Sequence, residues 1–184
     1  EKTKKIAIYL NKTYGYQQRI AVIQNRSLEQ IISAVSILRS GNIYVPIDIS
    51  YPEKRIVKII EDCQCILAIT KNDYLHIYDD LLSNKADIIA YENILNKLCN
   101  DECMVQQNDQ DIAYILYTSG TTGNPKGVVV TNQSVNNTLC WLEKEFELTD
   151  EDIIAFRTSI SFTDSIWEIF LPLMTGAEIR VISE

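Results

Sequence analysis

The sequence predicts an α/β fold in which largely parallel sheets are flanked by helices. Short apolar runs alternate along the chain with segments of helical period, and helix start and stop signals lie between them. Repeated strand–helix units make successive strands parallel and cover the sheet with helices. With 184 residues, 46% of them hydrophobic, the chain is long enough to bury a substantial core.

In the first part of the chain, apolar runs predict three strands, at residues 19–24, 43–46 and 66–69. Between the first two, Ser27 and Gln30 have the spacing of a capping box and open a helix that Gly41 ends. Pro52 opens the helix that follows the second strand. These signals define the first strand–helix units.

The rest of the chain continues the alternation after a polar stretch over residues 71–110. Further strands are predicted at residues 88–90, 112–117, 128–130, 153–156 and 179–182. A helix begins near Thr131, with an apolar face formed by Val135, Leu139, Leu142 and Phe146. Residues 166–174 predict the last helix.

Composition excludes several classes of protein. A formal charge of −8 without clustered Lys and Arg argues against nucleic acid as a partner. Without an apolar run of roughly 20 residues or a signal-peptide core, we expect no membrane partner and a cytoplasmic location. The five cysteines predict reduced thiols; zinc is the disfavoured alternative because their spacing does not fit zinc knuckles. They are Cys63, Cys65, Cys99, Cys103 and Cys140.

The segment from residue 118 to 127 has the composition of a polyphosphate-binding loop and directly follows a predicted strand. Glycines allow close approach of backbone N–H groups to phosphate oxygens, hydroxyls donate short hydrogen bonds, and a lysine supplies charge. It is not a Walker A loop, since Pro125 precedes Lys126 and Gly127 follows it. The phosphate-binding candidates are Thr118, Ser119, Gly120, Thr121, Thr122, Gly123 and Lys126.

In its exact order, the segment from Tyr114 to Gly127 resembles the phosphate-binding signature of the adenylate-forming, AMP-binding superfamily. Two other segments resemble motifs of non-ribosomal peptide synthetase adenylation domains. Residues 38–48, which end in Tyr-Val-Pro-Ile-Asp, are similar to one synthetase signature, and residues 162–168 resemble the start of the substrate pocket. The chain is therefore identified as part of the large N-terminal subdomain of such an enzyme.

This resemblance implies a two-step ligase reaction. A substrate carboxylate attacks the α-phosphate of ATP, accompanied by Mg²⁺, and pyrophosphate leaves; the phosphopantetheine thiol of a carrier protein (thiolation) domain then takes the acyl group. The substrate would be an amino acid or a related carboxylic acid, a condensation domain would be a further partner, and the context would be secondary metabolism such as antibiotic biosynthesis. The phosphate loop would act by fixed dipoles and charge.

Compared with the family, we expect residues 1–184 to be a partial adenylation domain. Its opening motif, the adenine-binding segments and the C-terminal subdomain with its catalytic lysine would lie outside the chain. No catalytic residue and no metal ligand is therefore assigned within it. We expect this polypeptide alone to be inactive.

The pocket candidates are Phe162, Thr163, Asp164 and Trp167. Family members that use α-amino acids have an Asp four residues before this Trp, where Thr163 stands; Asp164 follows one residue later. The shift predicts a displaced substrate ammonium and suggests a β-amino acid held by Asp164. Other amino acids and amine-free acids remain alternatives. In a purely structural interpretation, Ser165 and Glu168 form a capping box and Asp164 lies near the positive helix end.

Two rival functions differ in class. An acyl- or aryl-acid CoA ligase would share the phosphate loop, but residues 44–48 and the Trp167-Glu168 pair argue against it. A non-catalytic remnant would bind nucleotide or a partner without chemistry, and the intact loop argues against that. Pyrophosphate exchange separates an enzyme from a remnant.

Overall fold

The computed structural model describes residues 1–97, 105–119 and 125–182, with only the backbone at Ser119. These residues form a six-stranded sheet and a two-stranded sheet, with helices on both faces of the larger one. The strands are β1 Arg19–Ile23, β2 Ile43–Ile47, β3 Leu67–Thr70, β4 Asp87–Ala90, β5 Ile112–Ser119, β6 Pro125–Thr131, β7 Ile153–Phe156 and β8 Glu178–Val181. The helices are α1 Lys2–Tyr14, α2 Leu28–Arg39, α3 Glu53–Cys63, α4 Asn72–Leu82, α5 Tyr91–Leu95, α6 Asn132–Phe146 and α7 Asp164–Thr175.

The larger sheet has the strand order β4-β3-β1-β2-β5-β6. All neighbouring strands are parallel except β5 and β6, which form an antiparallel pair. The predicted α/β class with a largely parallel sheet is confirmed. Because β1, β2, β3 and β5 run in the same direction, the segments that follow them emerge at one edge of the sheet. We call this edge the carboxyl edge; such edges are where open α/β sheets bind ligands.

Alternate residues of the central strands supply two separate cores. Ile20 and Val22 of β1 pack in one apolar cluster with residues of α1, α2 and α5. Ala21 and Ile23 pack in the other with residues of α3 and α4. This alternation follows from the two-residue period of a strand and explains why buried parallel strands read as continuous apolar runs.

The ends of α2 follow the predicted signals. Ser27 accepts a hydrogen bond from the backbone N–H of Gln30 at 3.2 Å, so the cap is present. The reciprocal half of the capping box is absent, since the fully buried Gln30 amide has no hydrogen-bond partner among the described residues. After the helix, Gly41 adopts a φ of +73°, and a Cβ there would lie 2.2 Å from the Tyr16 ring. A glycine is therefore required at this turn.

The parallel strands β7 and β8 form a separate two-stranded sheet connected by α7. Phe156, Ile160 and Ile169 of this unit pack against Ile31 of α2. A second small cluster joins Leu171 of α7 to α6. Ile166 of α7 is also buried in the large cluster that contains Ile20 and Val22. Apolar contacts in three clusters thus attach the β7–α7–β8 unit to the rest of the fold.

Cys63, Cys65 and Cys140 are free cysteines, the first two buried and the third exposed. Cys99 and Cys103 lie outside the described residues. Over residues 1–97, 105–119 and 125–182, no group of three or more His, Cys, Asp or Glu side chains could hold a metal ion. Nor does that part of the chain contain a helix long and apolar enough to cross a membrane.

Candidate active site

The candidate phosphate loop connects the antiparallel strands β5 and β6 at the carboxyl edge. Thr118 and Lys126 face each other across this hairpin, both exposed, and Ser119 is paired with Pro125. Gly120, Thr121, Thr122 and Gly123 lie outside the described residues. A hydroxyl and an ammonium group thus flank the connection, and both are donors suited to phosphate oxygens.

The base of this hairpin is fixed by Tyr117. A Cβ at Gly127, its partner in the ladder, would lie 3.1 Å from Ile115 Cγ2 and from Tyr117 Cζ, so the glycine gives the ring its space. The Tyr117 hydroxyl donates to Asp62 Oδ2 of α3 at 2.7 Å. Burial, followed by this hydrogen bond, raises the pKa of Tyr117 far above its ordinary value, so the phenol stays a donor. The strand that leads into the loop is therefore tied to α3.

The four candidate pocket residues lie at the start of α7. Phe162 is 64% exposed, and Thr163 occupies the N-cap position without a capping hydrogen bond from its side chain. Asp164 is the exposed first residue of the helix, and the half-buried Trp167 donates its indole N–H to Asp164 Oδ1 at 3.3 Å. Of the four, Asp164 and Trp167 are brought into contact. The indole fixes one carboxylate oxygen.

The capping-box interpretation of Ser165 and Glu168 is wrong. The Ser165 hydroxyl donates to the carbonyl of Phe162 at 2.7 Å. The buried Glu168 carboxylate instead accepts hydrogen bonds from the backbone N–H groups of Arg157 and Thr158, at 3.0 and 2.9 Å, and from the Thr158 hydroxyl. Glu168 therefore holds the segment between β7 and α7 and does not close the helix end.

Asp48, the last residue of the Tyr-Val-Pro-Ile-Asp segment, links the two sheets. Its Oδ2 accepts a hydrogen bond from the Ser159 hydroxyl at 2.5 Å, and its Oδ1 accepts from the backbone N–H and hydroxyl of Ser50. Burial alone would raise the pKa of Asp48, but these hydrogen bonds and nearby Arg26 outweigh it and hold the pKa below its ordinary value. Asp48 is therefore an anionic acceptor at neutral pH.

These contacts place both candidate segments at the carboxyl edge. Ser159 is bound at the end of β2, and the phosphate loop follows β5, the neighbouring strand. A cavity of about 270 Å³ opens there, lined by residues 24–26, 48–50, Lys71, Ser159 and Ile160. The sequence pattern assigned no role to Arg26, Asp48 or Ser159 and gave Glu168 only the capping-box role; Asp48 was visible only as part of a motif.

A parallel sheet with a Ser/Thr/Gly-rich loop at its carboxyl edge is an architecture suited to nucleotide phosphates. The AMP-binding enzyme family matches residues 1–184, and the chain belongs to this family. The resemblance inferred from the motifs is confirmed.

Known proteins agree with this assignment. The chain is 33% identical over 175 residues to gramicidin S synthase 1 of Brevibacillus brevis, covering 95% of this chain and 16% of that protein. It is 31% identical over 186 residues to zwittermicin A synthase ZmaJ of Bacillus cereus, covering 100% of this chain and 35% of that protein. The fold matches the non-ribosomal peptide synthetase FmoA3 in its α-methyl-L-serine-AMP bound form, with a TM-score of 0.88 at 24% identity, over 98% of this chain and 20% of that one. The chain thus spans about a third or less of these relatives.

Proposed function

We propose that residues 1–184 form part of an adenylation domain that activates an amino acid as its acyl-adenylate and then passes the acyl group to the phosphopantetheine thiol of a carrier protein. The observation that carries the proposal is the pairing of Thr118 with Lys126 around the loop at the carboxyl edge. The family match over the whole chain and the synthase relatives support it. The adenine-binding segments and the C-terminal subdomain belong to other parts of the complete polypeptide.

The proposed chemistry has two transfers. The substrate carboxylate attacks the α-phosphorus of ATP, which enters with Mg²⁺, and the bond to pyrophosphate breaks. The thiolate then attacks the acyl carbon, and AMP leaves. Thr118 and Lys126, with the intervening residues, bind the departing phosphates, where fixed donors stabilise the charge that develops in the transition state.

A lysine comparison tests the phosphate role. In the complete polypeptide, Lys126→Ala should reduce substrate-dependent ATP–pyrophosphate exchange by about tenfold or more, because a charge-assisted hydrogen bond to phosphate contributes roughly 1.5–3 kcal/mol. Lys144, exposed in the last turn of α6, provides the matched control. If Lys126→Ala and Lys144→Ala behave alike, the lysine does not contact phosphate.

For the substrate, we propose a β-amino acid whose ammonium is bound by Asp164. The support is the exposed carboxylate in the first turn of α7, with one oxygen held by Trp167, beside a neutral hydroxyl at Thr163. A carboxylate fixed by its neighbour loses little freedom when it binds an ammonium group. The one-residue displacement along the helix turns the acceptor by roughly 100° relative to the position used for α-amino acids.

Exchange assays with matched α-amino, β-amino and amine-free acids test this assignment. A β-amino acid should give the highest kcat/KM, and Asp164→Asn should lower that value by about tenfold or more while leaving amine-free acids unchanged. Glu145→Gln, which neutralises an exposed carboxylate on α6, is the control. Preference for an α-amino acid, together with a silent Asp164→Asn, would reject the β-amino assignment and leave adenylation intact.

A further inference from the structure

One short segment, residues 157–159, carries the connection between β7 and the candidate pocket. Arg26 Nη1 donates to the carbonyl of Arg157 at 2.5 Å, and Glu168 accepts from the backbone of Arg157 and Thr158. The Ser159 hydroxyl donates to Asp48. Each of three consecutive residues is therefore held by a charged side chain, and two of those side chains, Arg26 and Asp48, come from the carboxyl edge of the larger sheet.

The hydrogen bonds continue from Ser159 into the pocket segment. The backbone N–H of Phe162 donates to the Ser159 carbonyl at 3.0 Å, and the backbone N–H of Ser165 donates to the Phe162 carbonyl at 3.1 Å. A displacement of Ser159 is therefore transmitted to Phe162 and to the start of α7, which carries Asp164 and Trp167.

On the side that faces the cavity, packing does not fix residues 157–159. Ile160 is buried in a small apolar cluster, but Ser159 and Ile160 also border the 270 Å³ cavity together with Asp48 and Arg26. Space on the cavity side leaves room for Ser159 to shift if its bond to Asp48 is lost, since the cavity offers no packed atoms there to resist displacement.

We propose that Asp48 is a positioning residue for the acid substrate: through Ser159 it sets the place of the Phe162-to-Trp167 segment relative to the phosphate loop. This inference rests on the proposed adenylation function. Asp48 lies at the end of β2, next to β5, so the bond to Ser159 connects the candidate pocket segment to the strand beside the one that leads into the candidate phosphate loop. Misplacement by about 1 Å is enough to lower a rate by a large factor.

The test uses the complete polypeptide with Asp48→Ala, Ser159→Ala and the double variant, and Ser50→Ala as the matched control. Ser50→Ala removes the other side-chain hydrogen bond to Asp48 without touching residues 157–159. Asp48→Ala and Ser159→Ala should each raise KM for the acid about tenfold, because each removes the same charge-assisted bond, while KM for ATP stays within about twofold. The double variant should be no worse than the worse single variant.

Amide hydrogen exchange of residues 157–163 gives a readout that does not need activity. Exchange there should accelerate in Asp48→Ala and Ser159→Ala and stay at the wild-type rate in Ser50→Ala. The inference would be overturned if the effects of the two single variants added up in the double variant, or if KM for the acid and KM for ATP rose equally. Unchanged amide exchange in the Asp48 and Ser159 variants would also overturn it. If the wild-type protein supports ATP–pyrophosphate exchange with none of the acids tested, the proposed function is rejected. Amide hydrogen exchange would still decide whether Asp48 positions residues 157–163 through Ser159.

Discussion

The six-stranded sheet and the β7–α7–β8 unit are stabilised in different ways. Every residue of β2 and β3 is buried, and their side chains enter two clusters on opposite faces. In β7 and β8, Phe156 alone is buried, and Phe162, Leu173 and Met174 of the same unit are exposed. The larger sheet is held by apolar packing, whereas the smaller unit combines the apolar contacts of α7 with hydrogen bonds to Arg26 and Asp48 of the larger sheet.

This difference in stabilisation also distinguishes the two parts of the candidate site. The candidate phosphate loop follows a buried strand of the larger sheet, but the candidate pocket segment belongs to the unit that is held partly by polar contacts. Apolar packing does not depend on protonation, while charged hydrogen bonds are directional and do depend on it. Nucleotide binding should therefore survive changes that displace the acid substrate.

The largest expected effect on stability comes from comparing one Ile-to-Ala substitution in the six-stranded sheet with one in the β7–α7–β8 unit. Ile20→Ala in β1 removes a fully buried side chain and should lower the free energy of unfolding by about 2–5 kcal/mol. Ile153→Ala in β7 removes a side chain that is 52% exposed and should cost under about 0.5 kcal/mol. Urea unfolding of the complete polypeptide measures both. Equal losses would show that the two regions do not differ as described.

The second comparison breaks the hydrogen bonds that hold the segment between β7 and α7. Glu168→Ala leaves the backbone N–H groups of Arg157 and Thr158 without their acceptor, and should lower the free energy of unfolding by about 2–3 kcal/mol. Glu145→Ala on the exposed face of α6 should change it by less than about 0.5 kcal/mol. The same urea titration measures this pair, and a loss for Glu168→Ala no larger than the control would contradict the assigned role.

The regular elements could be predicted because their signals are local. The strand around residues 19–24, the cap at Ser27, the turn at Gly41 and the helix that begins after Thr131 each depend on neighbours within a few residues, and each is confirmed. Helix α1 was not predicted. Its charged start gives little apolar signal, and its place comes from Ile6 and Leu10 packing in the core.

The candidate site was only partly predictable, because many of its contacts join residues far apart in the sequence. The order of residues 118–127 predicts a phosphate loop without knowledge of the fold, because the motif is contiguous. The bonds of Asp48 to Ser159 and of Arg26 to Arg157 join residues 111 and 131 positions apart. No local pattern encodes such a pair. Glu168 fits a capping box by spacing, but the structure shows that Arg157 and Thr158 are its partners.

The smallest expected effect is a pH dependence. Because the pKa of Asp48 lies below its ordinary value of 3.8, the charged form stabilises the fold; this contribution is complete above 3.8 and disappears as pH falls through the lower folded-state pKa. Wild type should therefore exceed Asp48→Asn in stability at neutral pH, by less than Glu168→Ala costs, and the difference should vanish in strong acid. Urea unfolding of both proteins from neutral to acidic pH measures this difference in stability. A difference that grows as pH falls would contradict the prediction.

The length of chain between the bonded partners also affects the order of folding. In the larger sheet, β1 and β2 are joined through the single helix α2, and β3 and β4 through α4, but Arg26 must find the carbonyl of Ile182, 156 residues away. The entropy lost in closing a loop grows with its length, and long-range contacts form late. On the ribosome, the larger sheet can therefore begin to fold before the residues that complete the contacts of Arg26 with the β7–α7–β8 unit have been synthesised.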